Sequence, residues 1–154
     1  MPRPSAPPIG LLLARSAKAV SRAFDDALGE AGGSLPVWLV LLSVRTREHA
    51  NQRELAQAVG IEGATLTHHL NAMEERGLIR RDRDPGNRRV QVVSLTDAGS
   101  ELFVRLATAA QAHDQRLRRG FTAAELRQLG ELLNRLAANV APGEPGRAAS
   151  PPVR

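Results

Sequence analysis

The chain has 154 residues, no cysteine and a formal net charge of +5, and 42% of its residues are hydrophobic. This length fits one globular domain, and the lack of cysteine excludes disulfides, thiol redox sensing and cysteine-based zinc sites. The basic balance favours an anionic partner, and no apolar run approaches the roughly 20 residues of a membrane span. Because the Pro- and Ala-rich start also does not resemble a secretory signal, we expect a cytoplasmic protein with no membrane partner.

Both ends are rich in Pro, Gly, Ser and Ala and lack apolar periodicity. We predict disordered tails over residues 1–8 and 141–154, and a single domain over residues 9–140. Residues 9–31 and 97–140 carry long amphipathic patterns at helical spacing. The predicted fold class is mainly α with a small β-hairpin, an α+β arrangement.

The first predicted helix has one apolar stripe and ends at Gly32-Gly33. A second helix opens at Ser34 and Pro36 and extends to about Arg47. Its apolar residues cover every face, which predicts a central position in the core.

A helix-turn-helix pattern comes next. Asn51 and Glu54 form a capping-box pattern that starts a short helix through Val59, and a longer helix follows from about Glu62 to Arg76. Two helices that approach closely at a bend favour a small residue in the first, a glycine at the turn and an apolar residue in the second. Those positions are held by Ala56, Gly60 and Leu66.

Two strand-like runs, Leu78–Arg83 and Val90–Leu95, flank the turn-forming segment Asp84–Asn87 and predict a hairpin. Thr96-Asp97 then caps a long helix, and Thr122–Glu125 forms a second capping box before the last helix. One side of the long helix is predicted to be apolar. It carries Leu102, Leu106, Ala109, His113, Leu117 and Phe121.

These elements suit duplex DNA, because its major groove accepts one helix and flanking arginines can contact phosphates. With Leu66, Leu70 and Met73 turned to the core, the longer helix presents small or short polar residues to a groove: Gly63, Ala64, Thr65, Thr67, His68 and Asn71. Six Arg and two Asp lie between Arg76 and Arg89, a net charge of +4. The predicted phosphate or minor-groove contacts are Arg53, Arg80, Arg81, Arg83, Arg88 and Arg89.

The segment "DPGNRR", Asp84 to Arg89, followed by "VSLTDAG", Val93 to Gly99, resembles the wing and the start of the long helix in the MarR family. The resemblance implies a winged helix-turn-helix lobe over residues 35–96. It also implies a homodimeric repressor that is held together by its terminal dimerisation helices and reads a palindromic operator in double-stranded DNA. One departure is Asn87, where the family usually has Asp, so the paired arginines lack an acidic neighbour.

The same resemblance implies a pocket between the dimerisation helices and the DNA-binding lobe for a small-molecule effector such as an aromatic acid. The residues expected to line it are Arg15, Trp38, Leu42 and His113. Each also has a simpler interpretation: Arg15 as a solvated residue, Trp38 as core, and His113 as a hydrogen-bonded interface residue.

No Gly-rich phosphate loop, metal-ligand cluster or catalytic triad pattern is present, so we expect no enzymatic activity, cofactor or metal site. His68 and His69 point about 100° apart on a helix, which disfavours a shared metal. The main alternative is an architectural or protein-interaction module without a specific operator, because the predicted groove face holds no Arg. A simpler interpretation of Arg80, Arg81 and Arg83 is that they only solubilise an exposed strand.

Overall fold

The computed structural model describes residues 7–46, 50–60, 62–87 and 91–141. It is mainly helical with a small antiparallel hairpin, which confirms the predicted fold class. Most of both predicted tails lies outside the described residues. The elements in chain order are α1 (Ile9–Glu30), α2 (Leu35–Thr46), β1 (Ala50–Asn51), α3 (Gln52–Val59), α4 (Gly63–Glu75), β2 (Ile79–Arg83), β3 (Gln91–Leu95), α5 (Asp97–Arg118) and α6 (Ala123–Val140).

The chain divides into two compact units between Arg116 and Leu117. In the second unit, the hydroxyl of Thr122 accepts a hydrogen bond from the Glu125 amide at 3.2 Å, and the Glu125 carboxylate accepts one from the Thr122 amide at 2.8 Å. The bond from that backbone amide lowers the pKa of Glu125. The predicted capping box at the start of α6 is therefore confirmed.

In the first unit, α2 lies at the centre of the core. Its fully buried face, centred on Val40 and Leu41, belongs to the same cluster as Leu28 of α1 and Leu106 of α5. This confirms the predicted central position of α2. None of the described helices could span a membrane alone, although α1 and α2 together, with a 74° bend between them, have sufficient length and apolar content.

Two glycines shape the helix-turn-helix because they adopt left-handed backbone conformations. Gly60 has φ of +71° in the turn after α3, and Gly77 has φ of +67° just after α4. Residues with a Cβ atom rarely adopt such values, so glycine suits both positions. Both predicted glycine roles are confirmed. The predicted capping box at Asn51 lies outside the side chains that the structure describes.

The sheet has three strands in the order β1-β3-β2, and both pairings are antiparallel. The hairpin of β2 and β3 was expected, whereas β1 is an addition to the prediction. The register places Arg81 opposite Val93 and Arg83 opposite Gln91. Since side chains alternate along a strand, Arg81 and Arg83 share the face of β2 that carries buried Ile79.

Candidate nucleic-acid interface

Helix α4 has one buried side and one exposed side. Leu66, Leu70 and Met73 are buried, as predicted. The exposed side carries Gly63, Ala64, Thr65, His68 and Asn71, while Thr67 is half-buried. Five of the six residues expected to face a groove therefore lie together on the accessible side of the helix.

Thr67 is held by a hydrogen-bond chain between α3 and α4. Its hydroxyl donates to the carbonyl oxygen of Gly63 at 2.8 Å and accepts from Nε2 of Gln52 at 2.6 Å. A hydroxyl has only one proton to donate. Thr67 therefore has no donor left for a base, and Gln52 is a positioning residue that the sequence did not reveal.

Asn71 is held from the wing side. Nη2 of Arg81 donates to Oδ1 of Asn71 at 2.8 Å, and Nε of Arg81 donates to Oε2 of Glu74 at 2.8 Å. Nη2 of Arg81 also contacts Oε2 of Glu74 as an ion pair. The hydrogen bond from Arg81 holds the pKa of Glu74 below its usual range. These contacts join the exposed side of α4 to strand β2.

Arg81 is one of the predicted phosphate contacts. Its side chain is only 18% exposed and is bound to Glu74 and Asn71 within the lobe. Strand alternation places it on the side of β2 that faces α4.

The other predicted phosphate contacts are exposed. Arg53 lies beside a shallow groove at the turn between α3 and α4, and Arg83 lies near the end of β2. Arg80 is exposed on the opposite face of β2 and pairs with Asp82 at 2.6 Å. An exposed pair of this kind is weak, so it leaves the Arg80 guanidinium able to change partner.

The hairpin turn is organised by Asp84. Its Oδ1 accepts hydrogen bonds from the backbone amides of Gly86 at 2.6 Å and Asn87 at 3.0 Å. Asp is favoured in turns for this reason. The predicted wing-tip contacts Arg88 and Arg89 lie outside the described residues.

The base of the wing is joined to both neighbouring helices through Thr96. Its hydroxyl donates to the carbonyl oxygen of Gly77 at 2.6 Å and accepts from the amide of Gly99 at 3.0 Å. The Thr96 amide also donates to the carbonyl oxygen of Leu78 at 3.2 Å. Thr96 therefore caps α5, as expected, and also fixes the end of α4.

A second cluster contains two of the predicted effector-binding residues. Trp38 is half-buried and stacks on Phe103 of α5, with ring centroids 5.5 Å apart and an interplanar angle of 16°. The guanidinium of Arg45 lies 5.9 Å from the centre of the Phe103 ring. Leu42 is half-buried one turn after Trp38. Phe103 and Arg45 were not identified from the sequence.

His113 is 7% exposed and packs against Phe24 of α1, with ring centroids 5.1 Å apart. Neither ring nitrogen has a hydrogen-bond partner among the described residues. A hydrogen bond from His113 across an interface between two copies stays a prediction. Arg15, the fourth predicted residue, is exposed on α1.

Among the described residues, no group of three or more His, Cys, Asp or Glu side chains is arranged to hold a metal ion. His68 and His69 have ring centroids 5.9 Å apart. His68 is exposed and His69 is half-buried. The pair thus presents a single exposed imidazole on the outer side of α4.

The family model named "MarR family" matches residues 34–90, from the start of α2 into the hairpin. A solved MarR-family transcriptional regulator from Rhodococcus sp. RHA1 has 27% sequence identity and a TM-score of 0.70, with 86% of this chain and 94% of that chain covered.

Two further solved structures are similar. The transcriptional repressor CouR, bound to a 23-mer DNA duplex, has 28% identity and a TM-score of 0.74 over 84% of this chain and 92% of that chain. The PcaV transcriptional regulator from Streptomyces coelicolor has 25% identity and a TM-score of 0.76 over 86% of this chain and 97% of that chain.

Proposed function

Because this chain belongs to the MarR family of winged-helix transcriptional regulators, we propose that it is a sequence-specific repressor of transcription that binds double-stranded DNA as a homodimer. A repressor of this kind occludes a promoter by binding over it. The role is regulatory and not enzymatic, and it places the protein in the cytoplasm with the DNA.

The exposed side of α4 is the observation that carries this proposal. Three buried residues hold the helix against the core, while small and short polar residues face outward beside a basic strand. A major groove about 12 Å wide accepts such a helix. The similar repressor CouR is bound to a DNA duplex in its own structure, which supports DNA binding by this chain.

Arg53 and Arg83 are the described side chains that we assign to phosphates, and Arg80 joins them when it leaves Asp82. Arg88 and Arg89 complete the set as wing contacts. Each phosphate contact releases condensed counterions, so its loss lowers the slope of log affinity against log salt by about 0.9. Substituting Arg53 or Arg83 with Ala should weaken binding to all sequences alike.

The second copy in the homodimer would cover apolar side chains that are exposed in the single chain. On α1 these include Ile9 and Leu12, and on α6 they include Leu129 and Leu132. Two recognition helices about 34 Å apart would then read the two halves of a palindrome. Sedimentation analysis should give twice the mass of the chain, with or without DNA.

We also propose a small-molecule effector that binds near Arg15, Trp38, Leu42 and His113. The buried, unpartnered imidazole of His113 supports a polar ligand, because an unsatisfied buried polar group is costly and a ligand hydroxyl or carboxylate would satisfy it. Arg15 would pair with the carboxylate of an aromatic acid. An effector that binds more tightly to a dimer with another spacing of its recognition helices would release the dimer from the operator.

Fluorescence anisotropy with the DNA upstream of the protein's own gene, random competitor DNA and a salt series tests the proposed function. We expect one dimer per palindrome and binding that survives excess random DNA. Binding that random DNA abolishes would instead indicate the architectural module. A panel of aromatic acids, added to the same complex, tests the effector.

A further inference from the structure

Asn71 differs from the other described side chains on the outer side of α4, because a residue of strand β2 fixes the orientation of its side-chain amide. Its Oδ1 lies 2.8 Å from Nη2 of Arg81 on β2. A guanidinium has only donors, so the atom of Asn71 that faces it must be the oxygen. The orientation of the amide is therefore set by the chemistry of its partner.

Arg81 is itself held in place. Its Nε donates to Oε2 of Glu74 at 2.8 Å, and its side chain is 18% exposed compared with 37% for Glu74. Glu74 lies three residues after Asn71 on α4, so both side chains occupy the same side of the helix. The wing strand thus orients a residue of the recognition helix through a guanidinium that is already paired.

We infer that Glu74 and Arg81 are positioning residues that make Asn71 a hydrogen-bond donor toward the major groove and thereby a determinant of operator sequence. This inference rests on the proposed function, because it concerns how the same lobe discriminates between sequences. Arg81 acts inside the protein and contributes no phosphate contact.

The consequence for base recognition follows from which groups each base presents. An outward Nδ2 offers two N–H donors, which match acceptors on guanine, on thymine and at N7 of adenine. Cytosine presents a donor at its major-groove edge, so it is disfavoured at this position.

Thr67 cannot replace Asn71 in this role. Its hydroxyl proton is used by the carbonyl oxygen of Gly63, one turn earlier on the same helix. We therefore expect that Asn71 is the residue on this side of α4 that discriminates between bases through a side-chain amide donor.

The test is selection of bound sequences from a randomised duplex pool, with the full chain and three variants. Asn71→Asp keeps an oxygen for Arg81 and replaces the outward donor with an acceptor, so one position in each half-site should change its preference toward cytosine. Arg81→Met should reduce the preference at that same position by roughly fivefold or more, the discrimination expected of one base contact. Its salt slope should equal that of the natural chain.

Arg76→Met is the matched control, because Arg76 lies at the end of α4 and contacts the carbonyl oxygen of Gly32, not Asn71. It removes the same charge and should leave the base preference unchanged. Thermal melting establishes that each variant is folded. If Arg81→Met does not fold, Asn71→Asp still decides the question.

Failure of the inference and failure of the proposed function give different results. If the natural chain selects no sequence, the proposed function is wrong and the inference is wrong with it. If the natural chain selects a palindrome and Asn71→Asp leaves its preference unchanged, only the inference is overturned. A uniform loss of affinity in Arg81→Met with a slope lowered by about 0.9 would show that Arg81 binds phosphate, which also overturns it.

Discussion

A Cβ atom at Gly99 would lie 1.9 Å from the carbonyl oxygen of Leu78. Helix α5 therefore begins in direct contact with the backbone that precedes β2. Because that backbone is fixed by a hydrogen bond to Thr96, it cannot move aside cheaply. Only glycine fits at this junction.

The first prediction is that Gly99→Ala lowers the free energy of unfolding by about 1–3 kcal/mol or more, since this range is the usual cost of overpacking. Urea unfolding at neutral pH measures the change. Gly29→Ala is the control, since a Cβ atom at Gly29 of α1 meets nothing within 4 Å and alanine favours the helix. Equal stability of the Gly99→Ala variant and the natural chain would contradict the prediction.

The second prediction concerns the Thr96 hydroxyl. Thr96→Val keeps the shape of the side chain but removes the bonds to the carbonyl oxygen of Gly77 and from the amide of Gly99. We expect a loss of about 1–2 kcal/mol in the free energy of unfolding. Thr96→Ser restores the hydroxyl and should recover most of it. A Thr96→Val variant as stable as the natural chain would contradict the prediction.

The third prediction is a pH dependence. The hydrogen bond from Arg81 lowers the pKa of Glu74 in the folded chain, so the carboxylate stabilises the fold at neutral pH. This stabilisation is fully present above the unfolded value of about 4.3 and is lost as pH falls through the lower folded value. Glu74→Gln should therefore be less stable than the natural chain at neutral pH, and the difference should shrink in acid.

Urea unfolding of both chains, at about pH 7 and at steps below about pH 4.3, measures this difference. The matched control is the same substitution in an Arg81→Met background, where the hydrogen bond is already absent. There, Glu74→Gln should produce no comparable pH-dependent change. A pH dependence that persists without Arg81 would assign it to another partner.

The fourth prediction concerns His113, whose ring nitrogens have no partner among the described residues. Removing an unsatisfied buried polar group can be neutral or stabilising, so His113→Leu should keep or raise the melting temperature. Leu106→Ala in the same core should instead cost about 2–5 kcal/mol. If the proposed effector binds here, His113→Leu should also make operator binding insensitive to it. A strongly destabilised His113→Leu variant would mean that the imidazole has a hydrogen-bond partner in solution.

The helices could be predicted because each carries a periodic apolar pattern within its own sequence. The buried line Leu66, Leu70 and Met73 repeats at helical spacing, and Gly77 marks the end of α4. Strand β1 could not be predicted, because two residues show no periodicity and its formation depends on pairing with β3. The β3 residues with which it pairs lie more than forty residues further along the chain.

The role of each arginine depends on the direction in which its side chain points. Amino-acid composition carries no information about that direction. Arg80 and Arg81 are adjacent and chemically identical, but one is exposed beside Asp82 and the other faces α4. The alternation from buried Ile79 was a usable signal for this difference. The contact with Asn71 was not predictable, because it requires the rotamers of two side chains from different elements.

Thr96 connects the end of α4, the strand end at Leu78 and the start of α5 through three hydrogen bonds. In amide hydrogen exchange, groups that open only together show the same protection free energy. The amides of Thr96 and Gly99 should therefore exchange as one cooperative unit. The recognition helix would then be unable to lose its last turn without also fraying the first turn of the long helix.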